Sequence, residues 1–485
     1  MINHGIIAKA IGGLLLLEAL LLTLCLLVGM IFGEPDRLSW GLPIGICLFL
    51  GFVLLAVGRN AHNSFGRRDG YLVVSSIWVV YTLIGMLPFL IGGHTDRVAM
   101  AFFETMSGFT TTGATAFSDI DALPRSILFW RSLTHWVGGM GIIFFTLAVL
   151  PALGIGEQKL FSAEATGLKL GKLHPRISTT AHWLWSLYFL ITGSSILTYY
   201  LCGMGLFDAV NHGLSTIATG GFSTHTDSIG WFASPAIEYA TTFYMFLASI
   251  NFTLLYLTLI KMRFRHVLRD EEFRLFVVIV AVAVLVIAVT RFGESGALSE
   301  DTFRDSLFNT VSLISTTGFT TGDFMLWPHL AWIVLTIISV IGACAGSTSG
   351  GVKMVRVLTA FKIVRCEFKH ILHPRAVLPV RLNHDYLGSE VTRSIFAYTF
   401  FYILLITFGT AAMTMMNLPI LDAFGLSISA FSNIGPTIGH HIGPLDAWGV
   451  LPDAALWVNS FLMLAGRLEI FSLLLPFVPS FWRDN

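Results

Sequence analysis

Long apolar runs recur along the chain, and shorter apolar segments that end in Thr and Gly stand between them. The first two runs, 6–32 and 40–58, form a pair closed by Arg59, Arg67 and Arg68. About 20 apolar residues cross a bilayer as a helix, so both are predicted to be membrane spans. The first run has no short core with a small-residue cleavage site behind it, so it reads as a retained helix rather than a removed signal.

After this pair one unit repeats four times: a long span, a short apolar segment, a Thr/Gly stretch and a second long span. The first copy has a span near 71–93, a short segment 97–109, the stretch Thr110-Thr111-Thr112-Gly113-Ala114-Thr115 and a span near 125–150. The second has 183–203, 206–217, Ala218-Thr219-Gly220-Gly221-Phe222-Ser223 and 235–260. The third has 274–292, 302–314, Ser315-Thr316-Thr317-Gly318-Phe319-Thr320 and a span starting near 327. The fourth has 394–416, 420–431, Ser432-Asn433-Ile434-Gly435-Pro436-Thr437 and 453–478. Aligned on Gly113, Gly220, Gly318 and Gly435, the copies lie 107, 98 and 117 residues apart. That is far longer than a solenoid period and fits a duplicated membrane module.

The short segments cannot cross a bilayer and read as re-entrant helices. Non-helical backbone at membrane depth is tolerated only inside protein or along an aqueous cavity. Four such stretches therefore predict one shared cavity. The fold class expected is an all-α integral membrane protein, with two N-terminal helices and four span–pore helix–span repeats around a pseudo-fourfold pore. The predicted divisions are 1–68, 69–182, 183–270, 271–390 with a broken second span, and 391–485.

Charge sets the orientation. Lys and Arg gather in cytoplasmic loops, and the loops at 59–68, 157–176, 261–274 and 356–393 hold 19 of the 29. All four follow an even number of spans, so both termini are predicted to be cytoplasmic and the Thr/Gly stretches enter from the outer side. Asp96, Asp119, Asp121, Asp227, Glu294, Glu300, Asp301, Asp305 and Asp323 lie on that side, as ordinary solvated loop charges or as a mouth that concentrates cations. Composition agrees with a membrane protein: 55% of the 485 residues are hydrophobic and 12% charged, against roughly 25% charged in soluble domains. A formal net charge of zero gives no field for nucleic acid. Five scattered cysteines make no disulfide framework and no metal motif.

The four stretches suit a dehydrated monovalent cation. Backbone carbonyls replace a K⁺ hydration shell when several converge on one axis. Glycine permits the backbone dihedrals this requires, and Thr adds a hydroxyl. Thr110, Thr111, Thr112 and Gly113; Ala218, Thr219 and Gly220; Ser315, Thr316, Thr317 and Gly318; and Ser432, Asn433, Ile434 and Gly435 are the predicted filter residues. A single Thr-Thr-Gly means nothing; four at equivalent places carry the reading.

These stretches, with His135-Trp136-Val137-Gly138-Gly139-Met140-Gly141 and Ala345-Gly346-Ser347-Thr348-Ser349-Gly350-Gly351, resemble the Trk/Ktr/HKT potassium transporters over essentially the whole chain. The two extra N-terminal spans resemble the bacterial TrkH branch. The resemblance implies a K⁺ pathway in the bacterial inner membrane, a homodimer with a pore in each subunit, and a cytosolic nucleotide-binding regulatory subunit like TrkA. It implies K⁺ selectivity where all four filters carry Gly, and Na⁺ passage where the first carries Ser. The fourth filter departs most from the pattern, with Asn433 and Ile434 in place of Thr.

Two further features bear on gating. Gly342, Gly346, Gly350 and Gly351 cluster with Ser347, Thr348 and Ser349, a density of Gly unfit for a helix interior. The segment reads as a loop that occludes the pore, matching the family's gating loop, or as a small-residue helix contact. Arg467 lies inside the last span, where a charge costs about 2.5–3.5 kcal/mol on insertion scales. It is expected to face the pore and to bind the loop's carbonyls; the alternative is an internal ion pair. Gly138, Gly139 and Gly141 are expected at close helix contacts. His135, His440 and His441 read as hydrogen-bonded or interfacial, Glu104 as a buttress of its pore helix, and Asn211 and Asn309 as equivalent positions. The functional alternatives are an ion-coupled K⁺ symporter driven by H⁺ or Na⁺, for which Glu104 and Glu469 are the intramembrane carboxylates, and a receptor scaffold, which needs no matched stretches. No His-Glu-x-x-His, Gly-x-Ser-x-Gly or paired intramembrane Asp supports an enzyme.

Overall fold

Helices account for nearly all of the regular structure. The computed structural model describes residues 2–61, 66–141, 177–295, 299–376, 378–383 and 385–483. The end of the second span of repeat 1 and its loop, with Lys159, Lys169, Lys172 and Arg176, lie outside the described residues. Six helices are long and apolar enough to cross a membrane among those described, or eight if two bent pairs each count as one span.

The N-terminal helices His4–Ile31 and Leu38–Val57 pack through glycine. A β-carbon on Gly12 would lie 2.9 Å from the Gly51 carbonyl oxygen, and one on Gly58 would lie 2.7 Å from that of Gly5. Two backbones approach this closely only where no side chain intervenes. Large apolar residues such as Leu20, Phe49, Phe52, Leu285 and Phe400 face outward. That arrangement suits lipid, whereas a soluble protein would not leave such a surface uncovered.

The four short helices are Val98–Phe109, Leu206–Ile217, Glu300–Ile314 and Ile420–Ser432. Each packs beside the spans of its own repeat. Two apolar clusters support them. One, including Trp78, Trp130, Tyr81 and Phe109, joins the N-terminal helices to repeats 1, 2 and 4. The other, including Phe276, Phe308 and Phe319, serves repeats 2 and 3.

The second spans of repeats 2 and 4, expected as single runs, are bent. In repeat 2, Pro235–Ala248 turns by 106° into Phe252–Leu259. Asn251 caps the new helix by accepting the Thr253 amide at 2.8 Å. In repeat 4, Asp453–Arg467 turns by 113° into Phe471–Phe477, through Glu469 and Ile470 at φ 51° and 64°. In repeat 3, His329–Ile341 stops and Met354–Leu372 follows the Gly-rich segment. A two-stranded antiparallel ladder, Arg381↔Tyr386 and Leu382↔Asp385, is the one β element among the described residues.

A candidate cation filter closed by glycine and carbonyl contacts

Each short helix ends in the same way. Its C-terminal carbonyls are taken up by a left-handed turn of the Schellman type. Thr111, Thr219, Thr316 and Asn433 occupy the left-handed region at φ 54°, 53°, 56° and 57°. The next residue's amide then donates five residues back: Thr112 to Ser107, Gly220 to Ser215, Thr317 to Ser312 and Ile434 to Ser429, at 2.9, 2.9, 2.9 and 3.0 Å. Asn tolerates this backbone better than other residues with a β-carbon, which accounts for Asn433 where the other filters have Thr.

This geometry corrects the expected register of the second filter. Gly113, Gly221, Gly318 and Gly435 carry positive φ, at 78°, 85°, 81° and 96°. Gly221, not Gly220, is therefore the equivalent glycine, and Gly220 takes the place of Thr112, Thr317 and Ile434. Gly220 lacks a side chain because His135 fills the space: a β-carbon there would lie 2.2 Å from the imidazole Nδ1. The shift also replaces Asn211 by His212 as the counterpart of Asn309 and Glu104. His212 Nε2 is 3.0 Å from Ser223 Oγ, and Asn309 donates to Thr321 Oγ1 at 3.1 Å.

The four glycines lock the stretches into a ring. A β-carbon on Gly113 would meet the Gly220 oxygen at 2.0 Å, on Gly221 the Thr317 oxygen at 2.0 Å, on Gly318 the Ile434 oxygen at 1.9 Å, and on Gly435 the Thr112 oxygen at 2.7 Å. The cycle runs through repeats 1, 2, 3 and 4 and back to 1. All four glycines line one cavity, together with Arg131, His225 and Asp446. The helix C-termini, with their partial negative charge, end at this ring. Such an arrangement favours a cation and presents carbonyl oxygens that can stand in for its water.

Side-chain hydrogen bonds brace each strand within its own repeat, and one links repeats 4 and 1. Thr110 and Thr112 share a hydroxyl hydrogen bond at 2.8 Å, as do Ser315 and Thr317 at 2.7 Å. The Thr219 hydroxyl donates to the Ala218 carbonyl, and Ser432 pairs with the Tyr402 hydroxyl at 2.6 Å. Asn433 donates to Thr112 Oγ1 at 3.0 Å and to the Met463 carbonyl at 2.9 Å, joining repeat 4 to repeat 1.

The Gly-rich segment lies against the inner end of this ring. The Gly350 amide donates to Thr316 Oγ1 at 2.7 Å, the Gly351 amide to the Ser432 carbonyl at 3.0 Å, and the Thr348 hydroxyl to the Ile217 carbonyl at 3.1 Å. Gly346 accepts the Phe252 amide at 2.9 Å. The Ser347 and Ser349 hydroxyls pair at 2.9 Å, and the Ser349 carbonyl accepts from Lys353. Arg467 donates to the Thr348 carbonyl and the Gly139 carbonyl, each at 2.9 Å, and to Gly138. Glu469 pairs with Arg356. Glu272 accepts the Ala345 amide at 2.6 Å from the start of the third repeat.

Close backbone contacts explain other glycines. A β-carbon on Gly138 would meet the Phe109 oxygen at 1.8 Å, and one on Gly466 the Phe431 oxygen at 1.9 Å. These two are equivalent, so Arg467 follows the contact that seats its helix on the filter. His135 Nδ1 is 3.0 Å from Ser215 Oγ, and His441 Nδ1 is 3.0 Å from Asp422. Residues that sequence reasoning passed over include Ser107, Ser215, Ser312 and Ser429. They stand six positions before each true glycine, a period visible in the sequence once Gly221 is chosen. Arg131 and Glu272 gave no periodic signal.

The sequence profile of the TrkH family, described as cation transport protein, matches residues 44–484. The Trk system potassium uptake protein TrkH of Salmonella typhimurium is 35% identical over 481 residues, and the match covers 99% of both chains. TrkG of Escherichia coli K12, also a Trk system potassium uptake protein, is 32% identical over 482 residues, with 99% of both covered. The crystal structure of the potassium transporter TrkH from Vibrio parahaemolyticus matches with a TM-score of 0.89 at 35% identity, covering 98% of this chain and 99% of that one. With its ring of four glycine-bearing strands, broken spans and full-length likeness, the chain belongs to the TrkH family of cation transport proteins.

Proposed function

We propose that this multi-pass protein of the bacterial inner membrane takes up K⁺ through a gated pore that passes K⁺ and Rb⁺ over Na⁺. The closed cycle of glycine–carbonyl contacts carries the reading. It seats four carbonyl-bearing strands at a spacing that backbone alone sets. A cation entering from the acidic outer side would trade water for these oxygens and for the threonine hydroxyls. The Gly346–Gly351 loop, held by Arg467, is the gate. Its displacement would open the inner end of the filter.

The boundaries 1–68, 69–182, 183–270, 271–390 and 391–485 are the units of this pore, with both termini cytoplasmic. The exposed apolar stripe Phe361, Val364, Phe368, Ile371 and Leu372 on the helix after the gate suits a second copy of the chain, in keeping with a homodimer. The basic cytoplasmic loops suit a separate nucleotide-binding subunit of the TrkA kind, because this chain holds no nucleotide motif of its own.

Flux of K⁺, Rb⁺, Na⁺ and Li⁺ into liposomes holding the purified protein tests the reading, with Arg467→Ala alongside to release the loop. Flux of K⁺ and Rb⁺ well above Na⁺ and Li⁺ supports it. Equal passage of all four, or none in either protein, overturns it.

A further inference from the structure

Arg131 is a buried cation beside the proposed pathway of a cation. Its side chain is 1% exposed and that of its partner Glu104 is 0% exposed, with Nε 2.7 Å from Oε1. The guanidinium also donates to the Ser223 carbonyl at 3.0 Å and to Thr115 Oγ1 at 3.2 Å, and it stacks over the Phe222 ring at 4.0 Å. Glu104 in turn accepts the Ala116 amide at 2.7 Å and the Thr115 hydroxyl at 3.1 Å. Thr115 and Ala116 follow Gly113 in the first filter; Phe222 and Ser223 follow Gly221 in the second. One ion pair therefore grips two neighbouring filter strands just outside the ring, and Arg131 lines the same cavity as the four glycines.

Nothing matches this brace elsewhere among the described residues. Counted back from the filter glycines, the positions equivalent to Glu104 hold His212, Asn309 and Leu426. In the register set by Gly138 and Gly466, Asn459 stands where Arg131 does, and it bonds within its own helix to Ala455 at 2.9 Å. The pore is fourfold at its glycines and asymmetric one step outward.

We infer that Arg131, clamped by Glu104, is a positioning residue that sets K⁺ over Na⁺ discrimination by fixing the spacing of filter strands 1 and 2. The inference rests on the K⁺-pore reading above. Discrimination needs ligands that do not close in around a smaller ion. A guanidinium satisfied by three oxygens in a fixed plane holds two strands apart and together at once, which a flexible ammonium cannot do. The charge of Glu104 is as necessary as its reach, because an uncompensated buried cation beside the pathway would repel the ion.

The test measures the K⁺/Na⁺ permeability ratio and K⁺ conductance of the purified full-length protein in bilayers, for Arg131→Gln, Glu104→Gln, their double variant, Arg131→Lys and Thr115→Val. Expected for Arg131→Gln is a ratio lowered at least several-fold with cation passage retained. Glu104→Gln is expected to lose conductance, because Arg131 is left unpaired. The double variant should recover conductance relative to Glu104→Gln while its ratio stays low. A structural defect alone would not produce opposite movements of ratio and conductance. Thr115→Val is nearly isosteric and removes one partner of each side chain; a ratio between wild type and Arg131→Gln is expected. Should the buried substitutions not fold, Arg131→Lys and Thr115→Val decide the question. Wild-type ratios in the variants that fold, against a K⁺-selective parent, overturn this inference and leave the pore reading intact. An unselective parent overturns the pore reading itself.

Discussion

The Arg467 guanidinium donates to the Thr348 carbonyl at 2.9 Å across 119 residues of sequence, so the last repeat pins the broken span of the third. The same side chain reaches Gly138 and Gly139 in the first repeat. Three repeats thus meet at one charged group below the filter. A helix end commonly uses a nearby basic side chain to satisfy its last carbonyls; here the basic group comes from another helix and also holds a loop.

Arg467→Ala is expected to raise K⁺ flux several-fold, because the loop loses a charged hydrogen bond worth about 1.5–3 kcal/mol and the pathway loses a fixed positive charge. Single-channel recording in planar bilayers reads both effects, as open probability and as unit conductance. Unchanged values of both would mean that Arg467 serves packing alone.

Glu272 holds the other side of the loop through the Ala345 amide. Glu272→Ala leaves that amide unsatisfied, at about 1–3 kcal/mol, and is expected to increase open probability without altering the K⁺/Na⁺ ratio. Combined with Arg467→Ala the effect should fall short of additivity, since both residues restrain one segment. Full additivity would indicate two independent elements.

The register of the second filter has its own signature. Gly221→Ala collides with the Thr317 carbonyl and opposes a φ of 85°, so no side-chain change elsewhere should rescue it. Gly220→Thr collides with the His135 ring at a normal φ, so Gly220→Thr combined with His135→Ala is expected to recover K⁺ flux. Rescue of Gly221→Ala by His135→Ala would put the equivalent glycine elsewhere.

An outer contact between the loops that follow filters 1 and 2 should depend on pH. His225 Nδ1 lies 2.7 Å from Asp121 and Nε2 lies 3.7 Å from Asp208. Partial burial works against the charged imidazole, and the two carboxylates more than offset it, so its pKa is raised. Burial also opposes ionisation of Asp121, but the Thr226 amide and hydroxyl and His225 hold its pKa low. The contribution of His225 is complete below its unfolded value, about 6.5, and is lost as pH rises through the higher folded value. That of Asp121 is present above about 3.9 and is lost as pH falls through its lower folded value. Melting of the detergent-solubilised protein is therefore expected to weaken from neutral toward alkaline pH, with that slope reduced in His225→Gln. An identical slope in the variant would remove His225 from the account.

Much of this molecule could be read from its residues in order. Length and apolarity mark spans, because a bilayer rewards about 20 apolar residues wherever they occur. Four short helices ending in Thr and Gly mark a cavity, because loose backbone is costly in lipid. Those are local properties, and the filter residues Thr110–Gly113, Ser315–Gly318 and Ser432–Gly435 appeared as equivalents on that basis. Tertiary structure alone decided between Gly220 and Gly221, since the two are adjacent after Thr219 and only the contacts of His135 and Thr317 distinguish them. It likewise decided the 106° and 113° bends, where Asn251 caps the new helix and Glu469 pairs with Arg356. The Arg131–Glu104 brace was hidden for the same reason: a charge pair 27 residues apart leaves no period, and its value comes from burial that only the folded chain creates.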